Sequence, residues 1–146
     1  MKVLLDTNVV LDLLMQRELF YEDALRVFSS VELGKVEGYL CATTLTTIYY
    51  LVSKNSTKKK TDEILQSLLK LFKISSVDKE VLLLSLKNNG SDFEDSVIYT
   101  SAKLSHIDLI ISRDKKGFKN SKVPVKSPKE FLISQWAELK EMKLRS

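Results

Sequence analysis

Short apolar runs alternate with longer segments of helical periodicity along the whole chain, and no other feature limits the fold as much. Residues 2–5, KVLL, read as a short buried strand that stops at Asp6. A short helix is expected from Val9 to Met15. From Tyr21 the spacing of Ala24, Leu25, Val27, Phe28 and Val31 is helical, with Gly34 as its stop. Residues 38–42, GYLCA, read as a second strand, and Thr43 or Thr44 can cap a helix through Val52. Residues 57–71 form a further helix whose apolar face holds Ile64, Leu65, Leu68, Leu69 and Phe72. Lys73 to Val77 is a weak third strand. Asp78 caps a leucine-rich helix, Val81 to Leu86, that stops near Asn88-Asn89-Gly90. Another helix runs from Asp92 or Phe93 to His106, followed by the strand Leu109–Ser112. Val123-Pro124-Val125 reads as an edge strand, where proline is tolerated. Ser127-Pro128 opens a last helix through Met142, with the proline at the first helical position. Strands alternating with helices imply an α/β fold, a parallel sheet covered on both faces. Ligands of such sheets bind outside the carboxyl ends of the strands.

A chain of 146 residues is expected to be one domain, 1–146, with a core of useful size. Its hydrophobic content of 44% and charged content of 29% exclude a disordered chain. No apolar run approaches the ~20 residues needed to span a bilayer. The opening MKVLLDTN turns acidic too early for a signal peptide, so a cytoplasmic protein without a membrane role is expected. The single cysteine, Cys41, excludes an internal disulfide and a cysteine-cluster metal site; it is expected to pack as a small apolar residue. The net charge of +4 is compatible with a polyanionic partner. Two basic stretches stand out. One is Lys58-Lys59-Lys60 with Lys54 before it, and the other runs from Arg113 through Lys115, Lys116, Lys119 and Lys122 to Lys126.

The segment DFEDSVIYTSAKL, residues 92–104, crowds Asp92, Glu94 and Asp95 at a helix start. Capping and the helix dipole are one account of such acids. Topology supplies another. Asp6 ends the first strand, and Asp114 follows the strand Leu109–Ser112. Helices in these folds begin at the edge where strands end, so Asp6, Asp95 and Asp114 are expected to meet there. Asp92 and Asp95 are three apart and share a helix face, while Glu94, turned about 100° from Asp95, is expected to cap the helix or face solvent. Carboxylates gathered in one crevice repel one another, so a pKa rises unless a cation is present. An all-oxygen site of this kind suits Mg²⁺ or Mn²⁺. The lone histidine, His106, sits at the far end of its helix, which excludes a multi-histidine zinc site and argues against a serine or cysteine triad.

These motifs resemble the PIN-domain family of metal-dependent ribonucleases, which includes VapC-type toxins of bacterial toxin–antitoxin pairs. VLLDTNVVLDLL (residues 3–14) is similar to the family's opening strand and turn. DFEDSVIYTSAKL is similar to its central acidic helix. LIISRDKKGF (residues 109–118) is similar to its fourth strand and final acid, and VPVKSPKEFL to its closing strand and helix. The resemblance implies a three-layer α/β/α fold around a parallel sheet of four to five strands. It implies a divalent-metal-dependent endoribonuclease in which Asp6, Asp95 and Asp114 are the core metal ligands and Asp92 is a supporting catalytic acid. Thr7 and Asn8 would shape the turn after the first strand. Asp12, also common in the opening motif, serves the helix, a neighbour or the site. Many members carry a further acid, usually Glu, early in the helix after the second strand. Here Thr47 takes that place in ATTLTTIYYLVSK, which adds no charge and makes two tightly held metals less favoured.

RNA is the implied substrate, with Lys115 or Lys116 as its contact. Arg113 precedes Asp114, and alternation in an extended segment points the two side chains oppositely. Tyr49, Tyr50 and Trp136 are expected in the core or an interface rather than against bases. Exposed apolar residues of the helix over 57–72 suggest a homodimer or a groove for a cognate antitoxin. Rival readings fare worse. A haloacid-dehalogenase-type phosphatase needs an acid two residues after Asp6, where Asn8 stands, and a receiver domain needs an acidic pair after its first strand. The alternative that remains is a catalytically weak or inactive PIN-like module that binds RNA or a protein partner.

Overall fold

In the structure, a computed structural model that describes residues 1–87, 92–119 and 121–145, the expected alternation is present throughout. The strands are β1 (Lys2–Leu5), β2 (Glu37–Cys41), β3 (Lys73–Ser75), β4 (Leu109–Ile111) and β5 (Val125–Lys126). The helices are α1 (Thr7–Leu14), α2 (Tyr21–Glu32), α3 (Ala42–Ser53), α4 (Lys58–Leu71), α5 (Lys79–Ser85), α6 (Phe93–Leu104) and α7 (Pro128–Arg145). All strand pairs are parallel, in the order β3-β2-β1-β4-β5. Alternation along the central strands sends side chains to opposite faces. Val3, Leu5, Leu109 and Ile111 join one core with residues of α1, α2, α3, α4 and α7. Leu4 and Ile110 join the other with α5 and α6. The result is the three-layer α/β/α arrangement.

Several boundaries moved for local reasons. Helix α1 starts at Thr7 rather than Val9, because Asp6 caps it: Thr7 N donates to Asp6 Oδ1 at 2.8 Å. Helix α3 begins at Ala42 without a side-chain cap, and neither Thr43 nor Thr44 serves as one. Thr44 is instead buried against α1. Asp78 caps α5 as expected, through Val81 N at 3.0 Å. The expected stop at Asn88-Asn89-Gly90 lies outside the described residues. The expected edge strand is shorter and later, Val125–Lys126, although the Pro124 carbonyl still accepts from Ile110 N at 2.9 Å. Ser127 and Glu130 close a reciprocal capping box at the start of α7, with bonds of 3.0 and 3.1 Å.

Helix α6 ends at Leu104, two residues before the expected stop. His106 lies just beyond, at φ 57°, and the bonds His106 N to Lys103 O and Ile107 N to Ala102 O close the turn. Cys41 is buried in the apolar core, as expected. Tyr50 is 61% and Trp136 62% exposed, so of the two places expected for these aromatics neither occupies the core. Among the described residues no helix is long and apolar enough to cross a membrane.

Candidate functional site

The strand order fixes where a site can form. From β1 the chain steps outward one way to β2 and β3, and later the other way from β4 to β5. The reversal falls between β1 and β4, whose carboxyl ends open a crevice. Leu5 pairs with Ile111 there, and Asp6 N donates to Ile111 O at 2.9 Å. Asp6 therefore emerges beside Ser112 and two residues from Asp114.

Asp6 is 4% exposed, yet it has no basic partner among the described residues. Its Oδ2 accepts from Ser112 Oγ at 2.7 Å and Asn8 Nδ2 at 3.3 Å. Ser112 Oγ in turn accepts from Asp114 N at 3.0 Å, so one buried hydroxyl ties two acids from different ends of the chain. Asp114 Oδ1 accepts from Lys116 N at 3.1 Å and Gly117 N at 3.4 Å. Across the crevice Asp92 is the N-cap of α6, accepting from Glu94 N at 2.9 Å and Asp95 N at 3.4 Å. That cap turns Asp95 toward the Asp114 loop. A Cβ built on Gly117 would stand 2.5 Å from Asp95 Oδ2 and 3.4 Å from Asp114 Oδ2, so the absence of a side chain there leaves the cradle open.

On the third side Thr7 Oγ1 meets Thr44 Oγ1 of α3 at 2.9 Å. One helical turn on, Thr47 Oγ1 donates to Glu94 Oε1 at 3.4 Å. Of the two roles expected for Glu94, the cap falls to Asp92, while Glu94 is exposed as the other role has it, with its Oε1 directed to α3.

Electrostatics agree with the geometry. Burial, together with the charges of Asp6, Asp92, Asp114 and Glu94, pushes the Asp95 pKa up from 3.8 to about 6. Asp6 is also raised, mainly by burial; the Ser112 and Thr7 bonds pull it partly back, and Asp114 and Glu94 add repulsion. Among the described residues no three acidic, histidine or cysteine groups stand in a ready coordination geometry. The carboxylate oxygens face backbone N–H and hydroxyl donors instead. The carboxylates of Asp6, Asp95 and Asp114 offer only hard oxygen atoms around a crevice short of positive charge, which fits a hard divalent cation.

The neighbouring charges are otherwise engaged. Asp12 is fully buried and pairs with Arg113, through Nε at 2.6 Å and Nη2 at 3.1 Å, and with Arg17 at 3.3 Å. Arg113 also lies 3.8 Å from the Phe20 ring centroid. It points away from Asp114, as the alternation predicted. Both lysines beside Asp114 are exposed, and Lys115 pairs with Glu130 of α7. Sequence reasoning missed Ser112 as a member of the site. Its signal was present, a lone hydroxyl closing an otherwise apolar strand two residues before the acid.

An all-parallel α/β/α sandwich with acids at its switch point defines the class. The sequence matches the PIN domain family over residues 2–116, and the chain belongs to that family. It is similar to Ribonuclease VapC1 of Aquifex aeolicus (strain VF5), 28% identical over 142 residues that cover 94% of this chain and 97% of that protein. Among solved structures, FitAcB from Neisseria gonorrhoeae matches at 26% identity and a TM-score of 0.65, covering 86% of this chain and 97% of that one. A toxin–antitoxin complex from Klebsiella pneumoniae shares the fold at 20% identity and a TM-score of 0.66, covering 86% and 97%.

Proposed function

We propose that the protein is a divalent-metal-dependent endoribonuclease, the toxin of a toxin–antitoxin pair. The observation that carries this reading is the uncompensated crevice of Asp6, Asp95 and Asp114, in which the Asp95 pKa stands at about 6. A buried Asp6 that faces the half-buried Asp95 and the exposed Asp114 is unfavourable in a purely structural role, and a cation relieves it. Similarity to a ribonuclease over 94% of the chain supports RNA as the substrate.

In this reading Asp6, Asp95 and Asp114 hold Mg²⁺ or Mn²⁺, which would lower the pKa of a water and offset charge developing on the phosphate. Asp92 sets the first turn of α6 and so the aim of Asp95. Thr7, Asn8 and Ser112 hold the Asp6 carboxylate in place. Thr47 lines the crevice without adding charge. Lys116 and the basic residues after it hold flanking phosphates; Lys115, paired with Glu130, contributes less. Such contacts make affinity salt-dependent.

A partner surface is also available. A groove of about 530 Å³ lies between α1, α2 and α4, lined by Leu13, Leu14, Phe28, Ile64, Leu68 and Leu71. Its apolar lining suits a helix of an antitoxin, and the similarity to a toxin–antitoxin complex supports that occupant. We place the working protein in the cytoplasm, as a homodimer when free of antitoxin.

The test is cleavage of a mixed pool of structured and single-stranded RNAs with Mn²⁺, Mg²⁺ or EDTA, comparing wild type with Asp95→Asn. Cleavage is expected with either metal and absent with EDTA or in the variant. RNA binding without cleavage, or cleavage indifferent to the substitution, would shift the reading to a binding module.

A further inference from the structure

We propose that Glu94 supplies, from α6, the carboxylate that the PIN pattern usually places at the Thr47 position on α3, so that the crevice keeps a fourth acid for the cation. The inference rests on the metal-dependent reading above.

The argument starts from the wall of α3. Thr44 and Thr47 are three apart and share a face. Thr44 touches Thr7, the residue after Asp6, and Thr47 touches Glu94, the residue before Asp95. That face of α3 therefore spans the crevice from one core acid to the other. An acid at position 47 would project from α3 toward the place where the Glu94 carboxylate now sits. Glutamate at 94 reaches that place from the opposite wall, and its Oε1 accepts there from the Thr47 hydroxyl at 3.4 Å. Asp92 makes the reach possible, because it takes over the capping of α6 that would otherwise occupy an acid in the first turn. The charge of Glu94 is felt at both Asp6 and Asp95, which agrees with a carboxylate facing the same space. A threonine at 47 beside a glutamate at 94 also avoids a fifth carboxylate in one small crevice.

The experiment is titration of the full chain with Mn²⁺, followed by calorimetry and by loss of the free-ion paramagnetic resonance signal. Four forms are compared: wild type, Glu94→Gln, Thr47→Glu, and the swap Thr47→Glu with Glu94→Gln. Glutamine keeps the oxygen that accepts from Thr47, so a merely structural bridge survives in Glu94→Gln while the charge is lost. The expected result is Mn²⁺ affinity about tenfold weaker in Glu94→Gln and restored to within about threefold of wild type by the swap, in line with one lost ligand interaction. RNA cleavage follows the same order. Equal Mn²⁺ affinity in wild type and Glu94→Gln overturns the assignment of Glu94 while leaving the metal reading intact. Loss in Glu94→Gln without rescue by the swap overturns the exchange of positions. No Mn²⁺ binding by folded wild type overturns the metal reading itself, and this inference with it.

Discussion

Asp6 and Asp12 stand six residues apart at the two ends of one segment, both are buried, and they meet opposite fates. Asp12, with no exposure, is matched by two arginines. Asp6, at 4% exposure, is matched among the described residues by hydroxyl and amide donors and faces other acids. The first is a compensated charge that fastens α1 to the loop after β4. The second is an unbalanced charge that the fold tolerates at the sheet's switch point. Burial alone does not distinguish a structural acid from a working one; the sign of the surroundings does.

The largest effect that tests this contrast is on stability. Asp12→Asn leaves Arg113 without its bidentate partner and is expected to cost about 3–5 kcal/mol, the usual result of breaking a buried ion pair. Urea denaturation measures it. Replacing both partners, Asp12→Leu with Arg113→Met, is expected to recover most of that loss and to leave RNA cleavage within about threefold of wild type. A double variant that folds but does not cleave would bring this pair into the site and erase the distinction.

Next comes the cradle. Gly117→Ala is expected to lower cleavage about tenfold, because a small displacement of a reacting group is costly, while thermal stability changes little. The new methyl group has to push the Asp95 carboxylate aside. Unchanged cleavage kinetics would show that the position of Asp95 is less constrained than its contacts suggest.

A smaller effect sharpens the electrostatic half of the comparison. The Asp95 pKa is raised in the folded protein, from 3.8 to about 6, so the folded state binds this proton more tightly than the unfolded state. Its contribution to stability is present below about pH 4 and is lost as pH rises to about 6. In metal-free protein at pH 7, Asp95→Asn is therefore expected to gain about 1 kcal/mol after discounting for solvent screening. That is a rise in Tm of about 2–4 °C for a chain of this size. The gain disappears near pH 4. Saturating Mn²⁺ should stabilise wild type and not the variant, by preferential binding to the folded state. Calorimetric melts across pH, with and without Mn²⁺, read all three outcomes.

The smallest expected effect is at the surface. Lys115→Ala breaks the pair with Glu130 and is expected to change stability by less than about 1 kcal/mol, as exposed pairs do. Lys116→Ala leaves stability alone but is expected to lower the salt dependence of RNA binding by about one counterion. Equal RNA effects from the two lysines would show that the Glu130 pair opens readily.

Much of this was legible in the sequence, and the failures share a cause. Short continuous apolar runs with an acid shortly after them marked β1 and β4, since a strand buried on both faces leaves few other readings for VLL and LII. Asp78 and Ser127 announced their helices because capping is a local bond between residues two or three apart. The start of α1 was misplaced because Asp6 was read as a site residue, when it is a cap as well. The leucine-rich sequence of α5 leaves Leu82, Leu83 and Leu84 exposed, a placement that composition does not supply because it does not say which face a short helix presents.

The sequence by itself determined the alternation of elements, and with it a parallel sheet whose crevice had to hold Asp6, Asp95 and Asp114. It could do so because strand periodicity, capping and the placement of acids at strand ends act over a few residues. Only the tertiary structure decided how the charges were shared. It gave Arg113 to Asp12, Lys115 to Glu130, Ser112 to Asp6, and turned Glu94 toward Thr47. Those pairings span up to 106 positions and depend on which side chains the packed sheet brings within a few ångströms. Distance in space, and the scarcity of counter-charge there, made one buried acid a fastening and left the other facing the crevice.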